Sequence, residues 1–308
     1  MLVIKDLVKS YGKFLAVDHL NMTVERGHIF GFVGPNGAGK TTTMKIAATL
    51  LELTSGSVEV AGISVSERPI EVRAKIGYMP DFFGVYDNLK VMEYLDFYGA
   101  SYSIPYKERQ KTALGLLDLV GLPNKRDSYV DSLSRGMKQR LCLARSLIHN
   151  PELLILDEPA SGMDPRARAE LRDILKELKN MDKTILISSH ILPELSEMCD
   201  DIGIIEHGRL VASGSMKNIL EAAGKLTVVI KLLEDTDRAI MILRQQPLVS
   251  DIVQEGNTLE VGYNGKEKDL CMLLKVLVKN DVPVVSFSKA EGNLERVFME
   301  VTQDEKMV

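Results

Sequence analysis

The sequence predicts an α/β chain of two domains. A mixed sheet with an antiparallel β subdomain and an inserted helical subdomain (about 85–135) is expected over residues 1–220, and a small α+β, ferredoxin-like domain over 221–308. Three observations lead there. The apolar runs Leu153–Leu156 and Thr184–Ser188 lack polar alternation, as do strands covered on both faces of a parallel sheet. The run Ile29–Val33 meets a glycine-rich turn and then helical spacing, a strand–loop–helix unit. After Gly208 the pattern changes to strand, helix, strand, strand, helix, strand.

Taken in chain order, residues 2–30 alternate with period two, as Leu20, Met22 and Val24 do against Asn21, Thr23 and Glu25. Turns at Tyr11-Gly12 and Arg26-Gly27 make these short antiparallel strands. Met44, Ala47, Ala48 and Leu51 space a helix over Lys40–Leu51. From about Asn88 to Val130 the pattern is mostly helical, carried by Leu89, Met92, Tyr94 and Leu95, then by Ala113, Leu116, Leu117 and Val120. Pro165 suits the first turn of a helix to Lys179 whose apolar stripe is Leu171, Ile174, Leu175 and Leu178. That helix sits where a crossover between the two buried strands belongs. In the last domain, strands are expected at Leu226–Leu232, Val249–Glu255, Thr258–Val261 and Val284–Phe287, with helices at Thr236–Gln245 and Lys266–Asn280.

Composition narrows the function classes. With 308 residues, 45% hydrophobic and 26% charged, the chain has the make-up of an ordinary globular protein. A net charge of −5 with no basic block disfavours nucleic acid or anionic lipid as partner. No apolar run approaches the roughly 18 residues of a spanning helix, and Met1–Lys9 lacks a signal core. The cysteines, Cys142, Cys199 and Cys271, are odd in number and form no CxxC, which argues against a disulfide framework or zinc site and fits a reducing cytoplasm.

Gly34-Pro35-Asn36-Gly37-Ala38-Gly39-Lys40-Thr41 matches GxxxxGK[ST] and, with Thr42, opens a helix after an apolar strand. Glycines let successive amides turn toward one anion, Lys40 reaches outer phosphates, and the Thr41 hydroxyl suits Mg²⁺. A second acidic element ends the run Leu153–Leu156: Asp157 suits the metal and Glu158 the attacking water. Either feature alone has a bland reading, a glycine-rich loop or a strand end. Together they describe a nucleoside triphosphate site.

Leu133-Ser134-Arg135-Gly136-Met137 then precedes a helix over Lys138–Ile148. Ser134 and Gly136 at a helix start offer a second phosphate-binding end, about 20 residues before Asp157, and Ser134 also reads as an ordinary cap. Here the chain resembles the ATPase subunits of ATP-binding-cassette (ABC) transporters, whose signature is close to LSGGQ; Arg135 and Met137 depart from it.

The resemblance covers about residues 1–220. It implies ATP and Mg²⁺ as cofactors and a head-to-tail dimer with a second ATPase subunit, identical or related. Ser134 and Gly136 would then close over ATP held by that subunit. It further implies Tyr11 stacked on adenine, and Asp164 of Ser161-Gly162-Met163-Asp164 at the dimer seam, where the usual form is SALD. His190 would sense the γ-phosphate. Where members carry Gln after Tyr-x-Pro, this chain has Asp81, which keeps an oxygen ligand for Mg²⁺ but adds a charge. Phe82–Tyr86 falls where the family has a groove for a helix of the membrane permease, and reads equally as subdomain core. Leu294, Val297 and Phe298 match a closing segment of ATPases that serve export permeases, or merely pack the last domain.

The expected function is a cytoplasmic ATPase, peripheral on the membrane, that drives export through a separate integral membrane permease and binds no nucleic acid. The alternatives are a soluble ABC-type ATPase acting on ribosomes or DNA, and a phosphate-loop kinase.

Overall fold

Each predicted buried strand delivers a chemically distinct residue to the same edge of one sheet. The computed structural model describes residues 1–81, 88–189, 192–222 and 226–289. His190, the aromatic segment 82–86 and the closing segment with Leu294, Val297 and Phe298 lie outside these residues.

β1 (Leu2–Tyr11) and β2 (Phe14–Val24) pair antiparallel around a turn at Gly12, whose φ of 61° favours glycine. β3 (Ile29–Val33), buried throughout, leads into α1 (Lys40–Ala47). α1 stops short of the expected Leu51, because Thr49 turns left-handed at φ 59° and the Leu50 amide bonds back to the Lys45 carbonyl at 2.8 Å. β4 (Ser55–Val60), β5 (Ile63–Ser64), α2 (Pro69–Lys75) and β6 (Ile76–Met79) follow.

The helical insertion holds α3 (Val91–Ser101) and α4 (Tyr106–Leu119), which pack with α5 (Arg135–Leu147). α5 begins three residues before the expected Lys138, since the Ser134 side chain caps it by accepting from the Met137 amide at 3.3 Å. The chain continues through β7 (Leu153–Leu156), α6 (Pro165–Asn180), β8 (Thr184–Ser188), α7 (Leu192–Ser196), β9 (Asp201–Glu206), β10 (Arg209–Ser215) and α8 (Met216–Ala222).

Two sheets result in this part: a four-stranded one ordered β2-β1-β4-β5, and a six-stranded one ordered β10-β9-β3-β8-β7-β6. Within the second, β9, β3, β8, β7 and β6 run parallel, and only β10 is antiparallel to its neighbour. Leu2, Ile4, Val58 and Val60 of the antiparallel sheet share a core with Phe30, Phe32, Ile155 and Leu186, bridged by Met44 and Ile46 of α1. Because β3, β6, β7 and β8 are parallel, their carboxyl ends lie together, where open α/β sheets bind ligands.

The chain divides into two compact units, with the boundary after Met216. The second unit contains β11 (Leu226–Leu232), α9 (Thr236–Arg244), β12 (Val249–Glu255), β13 (Thr258–Tyr263), α10 (Leu270–Lys279) and β14 (Val284–Lys289). Its sheet is antiparallel in the order β12-β13-β11-β14. Val228, Ile230, Leu259 and Val261 bury one face under Ala239 and Leu243 of α9 and Leu273 and Leu277 of α10.

Candidate functional site: a phosphate loop and two acids at one sheet edge

Glycine is obligatory at two loop positions. A β-carbon on Gly34 would lie 2.2 Å from the Ile205 carbonyl oxygen, and one on Gly39 would lie 2.6 Å from that of Ala16. Gly39 also adopts φ 109°, which presents the start of α1 to the loop. Lys40 is 7% exposed and folds back into the loop, donating from Nζ to the Gly34 carbonyl at 2.5 Å and the Pro35 carbonyl at 3.2 Å. Burial holds its ammonium below the usual lysine range, and the charges of Glu158 and Asp157 oppose that shift.

Beside the loop lies a cleft of about 280 Å³. Its walls are Asn36–Thr42, Tyr11, Asp81 and Glu158, together with Phe14 and Ala16. Four separately predicted elements therefore converge on one space. Gly34 and Pro35 do not line it; they shape the loop beneath and receive Lys40.

Asp157 sits behind the wall, 1% exposed. Its Oδ1 accepts from the Ser188 hydroxyl at 2.8 Å, while Oδ2 is buried without a hydrogen-bond partner among the described residues. A buried carboxylate oxygen left without a donor is costly, and a cation or its bound water would satisfy it. Thr41, Asp81 and Asp157 are the residues whose oxygens suit such an ion. Glu158 adopts φ 50°, and its amide donates to the same Ser188 hydroxyl at 2.9 Å.

Ser134, Gly136 and Asp164 do not line this cleft. They gather where α5 meets α6: Asp164 caps α6 by accepting from the Ala167 amide at 3.0 Å, and a β-carbon on Gly136 would lie 3.2 Å from that of Ala167. The capping hydrogen bond holds the Asp164 carboxyl below its usual range.

Sequence reasoning missed Phe14, Ala16, Ser188 and Gln139. Ser188 had a signal, being the hydroxyl that follows the apolar run Ile185–Ile187 at the end of the strand. Gln139 is buried and donates to the Ser161 carbonyl at 3.0 Å, a contact across 22 positions that no periodicity announces.

Comparison with known proteins decides which phosphate-loop family this is. The ABC transporter family model matches residues 17–161. The linearmycin resistance ATP-binding protein LnrL of Bacillus subtilis (strain 168) is 31% identical over 305 residues, 98% of each chain. The chain belongs to the ABC transporter ATP-binding proteins. This ABC subunit is also 36% identical to the bacitracin transport ATP-binding protein BcrA of Bacillus licheniformis, over 96% of its own length and 95% of the relative's. A solved ATP-binding subunit of an ABC transporter superposes with a TM-score of 0.67 at 30% identity, covering 73% of this chain and 93% of that one. As an ABC ATPase it binds and hydrolyses ATP, and subunits of this family dimerise and work with membrane permeases. Among the described residues no helix is long and apolar enough to cross a membrane.

Proposed function

We propose that this ABC ATPase binds MgATP in the cleft beside the phosphate loop and, paired with a second ATPase subunit, drives export through a separate membrane permease. The carrying observation is the convergence of the loop residues, Tyr11, Asp81 and Glu158 on one cleft, with the orphaned Asp157 oxygen behind it.

In this reading Tyr11 stacks on adenine, and the amides of 34–42 with Lys40 hold the phosphates. The Lys40 ammonium exchanges its two carbonyl partners for phosphate oxygens. Thr41, Asp157 and Asp81 would hold Mg²⁺, which would supply neutralisation of phosphate charge. Glu158 takes the proton from the attacking water, and His190 contacts the γ-phosphate. Ser134 and Gly136 close over ATP held by the second subunit, with Asp164 at the seam. Their separation from the chain's own cleft supports a role in trans.

Export is supported by a relative: a Nod factor export ATP-binding protein of Ralstonia nicotianae is 32% identical over 98% of this chain. The expected permease contact, Phe82–Tyr86, lies outside the described residues. The chain then works on the cytoplasmic face of the membrane. The second unit is read as a ferredoxin-like accessory domain, a reading its strand order supports.

The test is affinity capture of tagged Glu158→Gln protein from detergent-solubilised cells with MgATP, followed by mass spectrometry. Recovery of a polytopic membrane protein is expected. Ribosomal or DNA-processing proteins without a membrane protein would overturn the transport reading.

A further inference from the structure

Two of the places where this chain departs from the usual signature and seam residues touch each other. Arg135 stands where LSGGQ has its first glycine, and Gly162 stands where SALD has alanine. A β-carbon on Gly162 would lie 2.3 Å from the guanidinium carbon of Arg135 and 2.4 Å from its Nη1. The guanidinium therefore occupies the space an alanine methyl would take. An arginine at 135 in this pose requires the absence of a side chain at 162.

The contact falls on the turn that leaves Glu158. That turn is pinned at its start, where the Glu158 amide donates to Ser188, and closed by the Ser161 amide donating to the Glu158 carbonyl at 3.0 Å. From the other side α5 reaches it twice: Gln139 donates to the Ser161 carbonyl at 3.0 Å, and Arg135 covers Gly162. Glu158 itself holds φ 50°, a conformation that persists only where neighbours enforce it.

We propose that Arg135 and Gly162 form a matched pair, with Arg135 a positioning residue that clamps the 158–163 turn and so holds Glu158 for hydrolysis. The proposal rests on the reading of Glu158 as the base. The planar guanidinium suits this task, since it covers a glycine face that a lysine ammonium would leave open. It also gives the start of α5 a direct mechanical link to the base.

The test is a double-mutant cycle in the purified full chain, using Arg135→Gly, Gly162→Ala and the double variant, with kcat and KM for ATP measured for each. Gly162→Ala carries a backbone strain of its own at φ 67°. That strain is common to both Arg135 backgrounds and cancels in the cycle. Arg135→Gly is expected to lower kcat by about tenfold with KM changed less than about twofold, as misplacement of a reacting group does. Gly162→Ala should cost much less in the Arg135→Gly background than in the wild type, and Arg135→Lys should fall between wild type and Arg135→Gly. Additive losses, or an Arg135→Gly variant with unchanged kcat, would overturn the pair. Glu158→Gln is assayed in the same series. Full turnover there overturns the base assignment itself, whereas additivity overturns only the clamp.

Discussion

The Ser188 hydroxyl joins Asp157 to Glu158: it donates to Asp157 Oδ1 at 2.8 Å and accepts from the Glu158 amide at 2.9 Å. One side chain on β8 thus orients the proposed metal ligand and fixes the backbone of the proposed base. Ser188→Ala leaves a buried carboxylate oxygen and an amide without this partner, a cost of about 1–3 kcal/mol. We expect kcat for ATP to fall about tenfold or more with a smaller change in KM, read by steady-state hydrolysis. An unchanged kcat would remove Ser188 from the mechanism.

Tyr11 is half exposed at the cleft wall, with the Lys9 ammonium 5.1 Å from its ring centre. A base stacked on that ring contributes about 1–3 kcal/mol. Tyr11→Ala should therefore weaken equilibrium ATP binding between about fivefold and a hundredfold, and Tyr11→Phe should bind as the wild type does. Equal binding by all three would remove the stacking assignment.

Asp81 brings a carboxylate to the cleft wall. Its charge repels the γ-phosphate unless a cation lies between them. ATP binding should thus depend more steeply on Mg²⁺ in the wild type than in Asp81→Gln, as titrations with and without the metal would show. Identical metal dependence would leave Asp81 with no such role.

His149 stacks on Tyr102 with ring centres 3.8 Å apart and donates from Nε2 to the Ile76 carbonyl at 2.8 Å. Its Nδ1 is buried without a partner among the described residues, and burial lowers the pKa of the ring below its ordinary 6.5. The unfolded chain therefore takes up this proton first as pH falls. The contribution of neutral His149 to stability is full above about pH 6.5 and is lost as pH drops below it. Urea midpoints at pH 7.5 and 5.5 should differ less for His149→Gln than for the wild type; equal differences would contradict the assignment.

Much of this site could be read from residue order because its chemistry is local. The phosphate loop, the two acids ending β7 and the cap at Ser134 each occupy a few consecutive positions, and β7 and β8 betray their burial by lacking polar alternation. What could not be read are contacts that only the sheet order creates. Ser188 meets Asp157 because β7 and β8 are parallel neighbours in register, with Leu156 opposite Ile187. Phe14 and Ala16 reach the cleft through the β1–β2 hairpin, whose irregular register no alternation pattern specifies. The Arg135–Gly162 contact needs α5 laid against the turn before α6, a packing invisible to periodicity. Helix ends shifted for a similar reason, since caps at Ser134 and Thr49 decide them and not the apolar stripe.

In the proposed dimer ATP is bound between two subunits, with the phosphate loop of one facing Ser134 and Gly136 of the other. Sedimentation of Glu158→Gln protein with and without MgATP tests it most directly. A dimer is expected with MgATP that reverts to monomer when nucleotide is removed, and that Ser134→Arg abolishes without weakening ATP binding to the monomer. A chain that stays monomeric while saturated with MgATP would contradict it.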